Sequence, residues 1–162
     1  MAAHGAQKLL GWFGGHGLAG TSGWLDTMGF KPARLHAAVV GLAEFGGGAL
    51  LILGLLTPLG AAAVGGVMFV AIATVHWRNG FFNTGGGYEF NLLIAATAIA
   101  LAITGPGEIS IDHLAGWSLA GLAWGVAALG IAAVAAGSVL AMRKRPPAQA
   151  QEEMSRQEAP GD

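Results

Sequence analysis

The sequence predicts an all-α fold, a polytopic bundle of transmembrane helices, and three observations carry that prediction. Hydrophobic residues fill 54% of the 162 positions and charged residues only 10%, whereas a soluble domain carries about 25% charge. Several apolar runs are long enough to cross ~30 Å of hydrocarbon as helices. The 28 glycines suit helices packed closely in lipid, where small residues let backbones approach. The net charge of −1 implies no nucleic-acid partner. With no cysteine, the chain has no disulfide, no CxxC motif and no thiolates for an iron–sulfur cluster. Any electrons it handles are carried by another group.

Residues 1–10, MAAHGAQKLL, read as a short helix with His4 and Lys8 four apart on one face. No basic region precedes an apolar core, so the stretch is not a signal peptide. Ten residues are too few to cross a bilayer. The segment reads as an interfacial half-helix or as the end of a longer first span. Residues 11–32 contain seven glycines and read as a structured loop with a short helix at 24–28. Trp12, Phe13, Trp24 and Phe30 in it suit the headgroup level.

Residues 35–56 are the organising span, nearly unbroken apolar sequence with one carboxylate, Glu44. A carboxylate at that depth costs roughly 2.5–3.5 kcal/mol on insertion scales, so Glu44 should face protein or water. Gly41 and Gly48 share its helix face, and such a small face is expected to receive another helix. Thr57-Pro58 stops that helix and starts the next, expected to run to His76. Small residues repeat there at Ala61/Gly65 and Ala62/Gly66. The loop 76–89, HWRNGFFNTGGGYE, carries a second aromatic group, Trp77, Phe81, Phe82 and Tyr88. Glu89 opens a short helix to about residue 103. Residues 108–113 form a polar loop. The uncharged run 114–142 reads as one further span packing through Gly121 and Gly125. Arg143-Lys144-Arg145 closes it, and the remainder reads as a disordered polar tail. The domains expected are a membrane core at 1–113, an added helix at 114–142 and a tail at 143–162. The Lys and Arg distribution predicts a cytoplasmic C-terminus.

Topology gathers the polar residues whatever the orientation. Glu44 lies about 13 Å below the start of its helix, on the side where the His76 helix ends and the Glu89 helix begins. His4, Lys8, Glu44, His76, Arg78 and Glu89 are therefore expected in one half of the membrane, lining a polar pocket. A buried acid near His or Lys can hold or relay a proton. An amphipathic ligand with a polar head and apolar tail, such as a quinone, fits a half-polar cavity. Plainer roles stand beside this one. Glu44 is also explained as a structural partner of Lys8, His76 and Arg78 as interface anchors, and Glu89 as a complement to the helix dipole. No metal ligand set is expected, because His16, His36 and His113 have no partner at ligand spacing.

Four motifs carry a family resemblance: HGAQKLLGWFGGHGLAGTSGW (4–24), GLAEFGGGALLILGLLTPLG (41–60), HWRNGFFNTGGGYEFNLL (76–93) and GPGEISID (105–112). In this order and spacing they resemble the DoxX family of small bacterial membrane proteins. The resemblance implies a four-helix membrane protein of the cell membrane associated with redox complexes. The family takes its name from a subunit linked to a quinol oxidase and to thiosulfate:quinone oxidoreduction. Some members are associated with a sulfurtransferase and superoxide dismutase, so soluble redox partners are an implied possibility. Members carry about half a helix upstream of the HGxxK motif, so a truncated first helix is expected here. The helix at 114–142 lies beyond the shared core.

The functional expectation is a redox-associated membrane subunit with quinone as its one candidate cofactor. A non-catalytic scaffold recruiting soluble partners is the alternative, a homo-oligomer is compatible with either, and a small-molecule permease ranks last. The residues assign no catalytic reaction.

Overall fold

A computed structural model describes residues 1–144, and the predicted tail from 145 onward lies outside the described residues. Every regular element among the described residues is helical. They are α1 (Ala2–Leu10), α2 (Gly17–Thr27), α3 (Ala33–Leu53), α4 (Thr57–Ala71), α5 (Glu89–Thr104), α6 (Ile111–Leu114) and α7 (Leu122–Met142). The segments Ala33–Leu53, Thr57–Asn79 and Leu122–Met142 are long and apolar enough to cross a membrane. α5, at 16 residues, is about 24 Å long and falls short of ~30 Å of hydrocarbon.

α4 is the central element and packs on α3, α5 and α7, while α1 and α2 lie against α3. The core is built of small side chains. Ala61, Ala62 and Val64 of α4 meet Ala95, Ala98 and Ala102 of α5 and Ala128 of α7, all buried. Lipid tails are as apolar as leucine, so close van der Waals approach, not escape from water, holds such helices together. Gly65 lies against Ala132 of α7, and a Cβ on Gly125 would collide with Ile103 of α5.

The small face that carries Glu44 receives α1. A Cβ at Gly41 would lie 2.6 Å from the Leu9 side chain, and one at Gly48 would collide with the Ala2 backbone. The fit is reciprocal, since a Cβ at Gly5 would strike the Phe45 backbone. Three glycines thus let a nine-residue helix sit on a membrane span.

Two elements differ from the sequence reading. The glycine-rich 11–32 region contains an 11-residue helix, α2, and not only a turn near Trp24. Its glycine content lowers intrinsic propensity, but packing on α1 and α3 overrides it, with Thr21 and Leu25 buried. The run 114–142 is not one helix: α7 begins at Leu122. Gly116 and Gly121 take φ of +71° and +113°, conformations open to glycine and closed to most side chains. Gly121 therefore caps α7, with nothing near its Cβ position, and does not form a packing pair with Gly125.

The chain ends divide the bundle into two sides. On one, here the loop side, lie the α2–α3 connection, the 72–88 segment and the C-terminus of α7. The last is tied down where Arg143 Nε donates to Met28 O at 2.7 Å and the Lys144 N–H to Gly29 O at 2.9 Å. On the other, the turn side, Gly54 and Leu56 at φ +57° and +46° reverse the chain between α3 and α4. Asp112, 1% exposed, holds that reversal. Its carboxylate accepts from the Leu56 N–H at 2.7 Å, the Thr57 N–H at 3.1 Å and Thr57 Oγ1 at 2.9 Å. The first amides of a helix have no intrahelical partner, and a carboxylate satisfies them while complementing the dipole.

Candidate functional site

The site is built outward from the buried acid. Glu44, 3% exposed, lies mid-α3 on its glycine face. Lys8 reaches it from α1, with Nζ donating to Oε1 at 2.8 Å and to Oε2 at 2.6 Å. Both carboxylate oxygens are engaged by one ammonium whose side chain is 26% exposed. The pair is neutral as a unit, which makes an acid at membrane depth tolerable. The thinness of the α1–α3 contact is what brings Lys8 within reach.

Beside the ion pair lies a cavity of about 350 Å³. His4, Lys8, Glu44, Thr74, His76 and Asn91 supply polar groups to its wall, with Asn83 at its edge. The rest of the wall is apolar, including Val40, Val67, Met68, Phe90 and Ile94. A local irregularity in the backbone exposes the α4 side. Residues Ile72–His76 form a π turn, closed by the Trp77 N–H to Ile72 O. A π turn widens the helix by one residue and is frequent at functional sites. Here it lets Thr74, Val75 and His76, three consecutive residues, border the same cavity.

His76 is oriented from behind. Its Nδ1 lies 2.7 Å from Gly86 O. A carbonyl only accepts, so Nδ1 carries the proton and Nε2 is left for a second partner. The loop that supplies Gly86 is held by aromatic packing. Trp77 stacks on Tyr88 with centroids 5.3 Å apart, and Phe81 meets Tyr88 edge-on at 5.5 Å.

Of the six predicted pocket residues, His4, Lys8, Glu44 and His76 border the cavity, and Arg78 and Glu89 do not. Glu89 acts one bond further out: its Oε2 accepts the Asn83 N–H at 3.0 Å, fixing the loop. Arg78 is exposed on the 3-10 turn Trp77–Asn79. Both sit at helix ends, Arg78 in the last turn of the Thr57–Asn79 segment and Glu89 at the first residue of α5, so proximity in sequence to His76 does not carry them inward. Asn91, two residues after Glu89, was not among the predicted residues. Its amide lies 3.5 Å from Met68 Sδ, and a polar residue in the first turn of an apolar helix was the available signal. Asp112 was also passed over, because a carboxylate in a polar loop looks unremarkable. Among the described residues, no three His, Asp or Glu side chains group to hold a metal ion.

Comparison with known proteins agrees with this architecture. A family model described as DoxX matches residues 1–77, which contain the ion pair and the first cavity wall. The chain is 35% identical over 106 residues to "Inner membrane protein YqjF" of Escherichia coli (strain K12). That alignment takes in 64% of this chain and 78% of the relative. The protein belongs to the DoxX family. As a DoxX protein with several apolar helices it is a multi-pass membrane protein seated in the lipid bilayer. The DoxX match covers α1 through the π turn, and α5 to α7 lie outside it. No solved structure matches the chain.

Proposed function

We propose that this DoxX protein is a quinone-binding subunit of a redox-associated membrane complex, with the cavity beside Lys8 and Glu44 as its headgroup site. The observation that supports the reading most is the composition of that cavity. A hydrogen-bond-capable end, made by Lys8, Glu44, His76 and Asn91, opens onto an apolar wall. A quinone ring presents two carbonyl acceptors, which suit the Lys8 ammonium and the Asn91 amide. The reduced ring presents hydroxyl donors, which suit Glu44 and His76 Nε2. The cavity can therefore hold either oxidation state, the oxidised ring on the donors Lys8 and Asn91 and the reduced ring on the acceptors Glu44 and His76. A carboxylate and an imidazole at the ring are also groups able to exchange the protons that accompany quinone reduction. This chain has no cysteine and the electrons come from a partner in the complex.

The test is direct. Protein extracted from its own membrane in mild detergent is expected to carry quinone in an organic extract. Glu44→Gln is expected to lower that retention about tenfold, the loss of one charge-assisted hydrogen bond, while the helix content stays unchanged. Protein that purifies free of quinone and binds none on titration overturns the reading.

A further inference from the structure

A second cavity, about 220 Å³, runs between α3, α4 and α7. Its floor is the small face of α4, Ala62, Ala63 and Gly66. One wall is Val39, Val40 and Ala43 of α3, and the other is Ile131, Ala135 and Val139 of α7. The groove extends from Leu59 to Val70 along α4, about 16 Å at 1.5 Å per residue. It is almost wholly apolar, and it opens on the outer surface of three membrane-spanning segments.

The groove and the polar cavity share a wall. Leu25, Phe30, Val40, Val67 and Val70 border both. The separation is thus one layer of side chains. On α4 the partition is formed by Val67 and Val70, neither of them fully buried. From the α2 end it is formed by Leu25 and Phe30, with Phe30 just past Gly29 at φ +85°. The polar head end lies at the loop side, and the groove leads from it toward the turn side.

Resting on the quinone reading above, we infer that the α3–α4–α7 groove is the tail site of the same ligand and the lateral route by which it enters from the lipid. The ligand class is then a quinone with a long apolar chain, its ring beside Lys8 and Glu44 and its chain past Val67 and Val70 along Ala63 and Gly66. Three points carry this. The groove starts at the very residues that wall the head site. Apart from Phe30 and His36 near its loop-side end, its surface offers a chain aliphatic contacts. Its floor is kept deep by alanine and glycine where α4 would otherwise present bulk. One wall of the groove is α7, which lies outside the family match.

The experiment compares a benzoquinone ring bearing a decyl chain with the same ring bearing a methyl group. Binding of each is titrated to the purified full chain and to variants that fill the groove from two walls, Ala135→Trp on α7 and Val39→Trp on α3. Both positions are exposed, so the added rings have room. Ala133→Trp, on α7 outside the groove, is the control. The expected result is that the wild type and Ala133→Trp prefer the decyl compound. Ala135→Trp and Val39→Trp should each lose about tenfold in decyl affinity, equivalent to roughly two methylene groups left unburied, with methyl binding unchanged. Equal wild-type affinity for the two compounds, or groove variants that weaken both alike, overturns the tail site and leaves the headgroup reading standing. A wild type that binds neither compound overturns the headgroup reading, and the tail site with it. A variant that no longer binds the methyl compound is replaced by Ala135→Leu, for which the same selective loss is required.

Discussion

The Lys8–Glu44 pair ties together sequence, packing and chemistry at the scale of single residues. Breaking a buried ion pair by removing one member is far worse than never having it, because the other charge stays behind undispersed. Lys8→Ala is therefore expected to destabilise the bundle by roughly 3–5 kcal/mol, read as a lower denaturation midpoint in detergent. Lys8→Met combined with Glu44→Gln should recover most of that loss, since no orphan charge remains, while quinone retention stays low. A double variant as unstable as Lys8→Ala would contradict this account of the pair. This is also where the sequence was most legible. A lone acid in an apolar span is conspicuous, and hydrocarbon leaves it few resolutions. Loop residues carry no such constraint. Arg78 and Glu89 looked equivalent to His76 in the sequence, yet Glu89 bonds the Asn83 amide and Arg78 is exposed.

Helix against helix, fit is set by what is missing from side chains. Gly48 admits the Ala2 backbone and Gly5 admits Phe45, so α1 meets α3 closely enough for Lys8 to span the gap. Gly48→Val is expected to lift α1 from α3. The consequence to measure is faster amide exchange in α1 together with loss of quinone retention, even though Gly48 itself does not border the cavity. Just past the C-terminal end of α3, Asp112→Ala removes the acceptor of two backbone amides and one hydroxyl. The expected loss is about 2–4 kcal/mol, with new amide exchange at Leu56 and Thr57. Sequence periodicity located α3, α4 and α5 because apolar length and proline placement speak plainly. It misjudged α2 and the start of α7. There tertiary packing sustained a glycine-rich helix, and left-handed glycines broke an uncharged run that composition alone reads as continuous.

For the whole molecule, the bundle is asymmetric along the membrane normal. Ionisable side chains, the π turn and the stacked aromatic loop gather on the loop side. The turn side is closed by backbone reversals and one carboxylate. The general division was legible in the order of spans, since short connections force alternate ends to opposite faces. The apolar groove was not, because no sequence pattern reports that three helices fail to meet along one edge. Heating in detergent is expected to release the loop side first, with protease cutting near 80–87 before it cuts near 105–121. The reverse order would argue against a stability gradient of this kind.

Asp112 has one more implication. It fastens the α3–α4 reversal to the connection between α5 and α7 through Gly54, whose carbonyl accepts the Asp112 N–H at 2.9 Å. The α3–α4 reversal and the α5–α7 connection are thereby clamped at the turn side, while at the loop side α7 is held to the α2–α3 connection by the Arg143 and Lys144 bonds. Such an object opens like tweezers pivoting at the clamp, so any widening that admits a bulky molecule vanishes at Thr57 and grows along α3 toward Glu44 and past it, until the Arg143 and Lys144 bonds limit it.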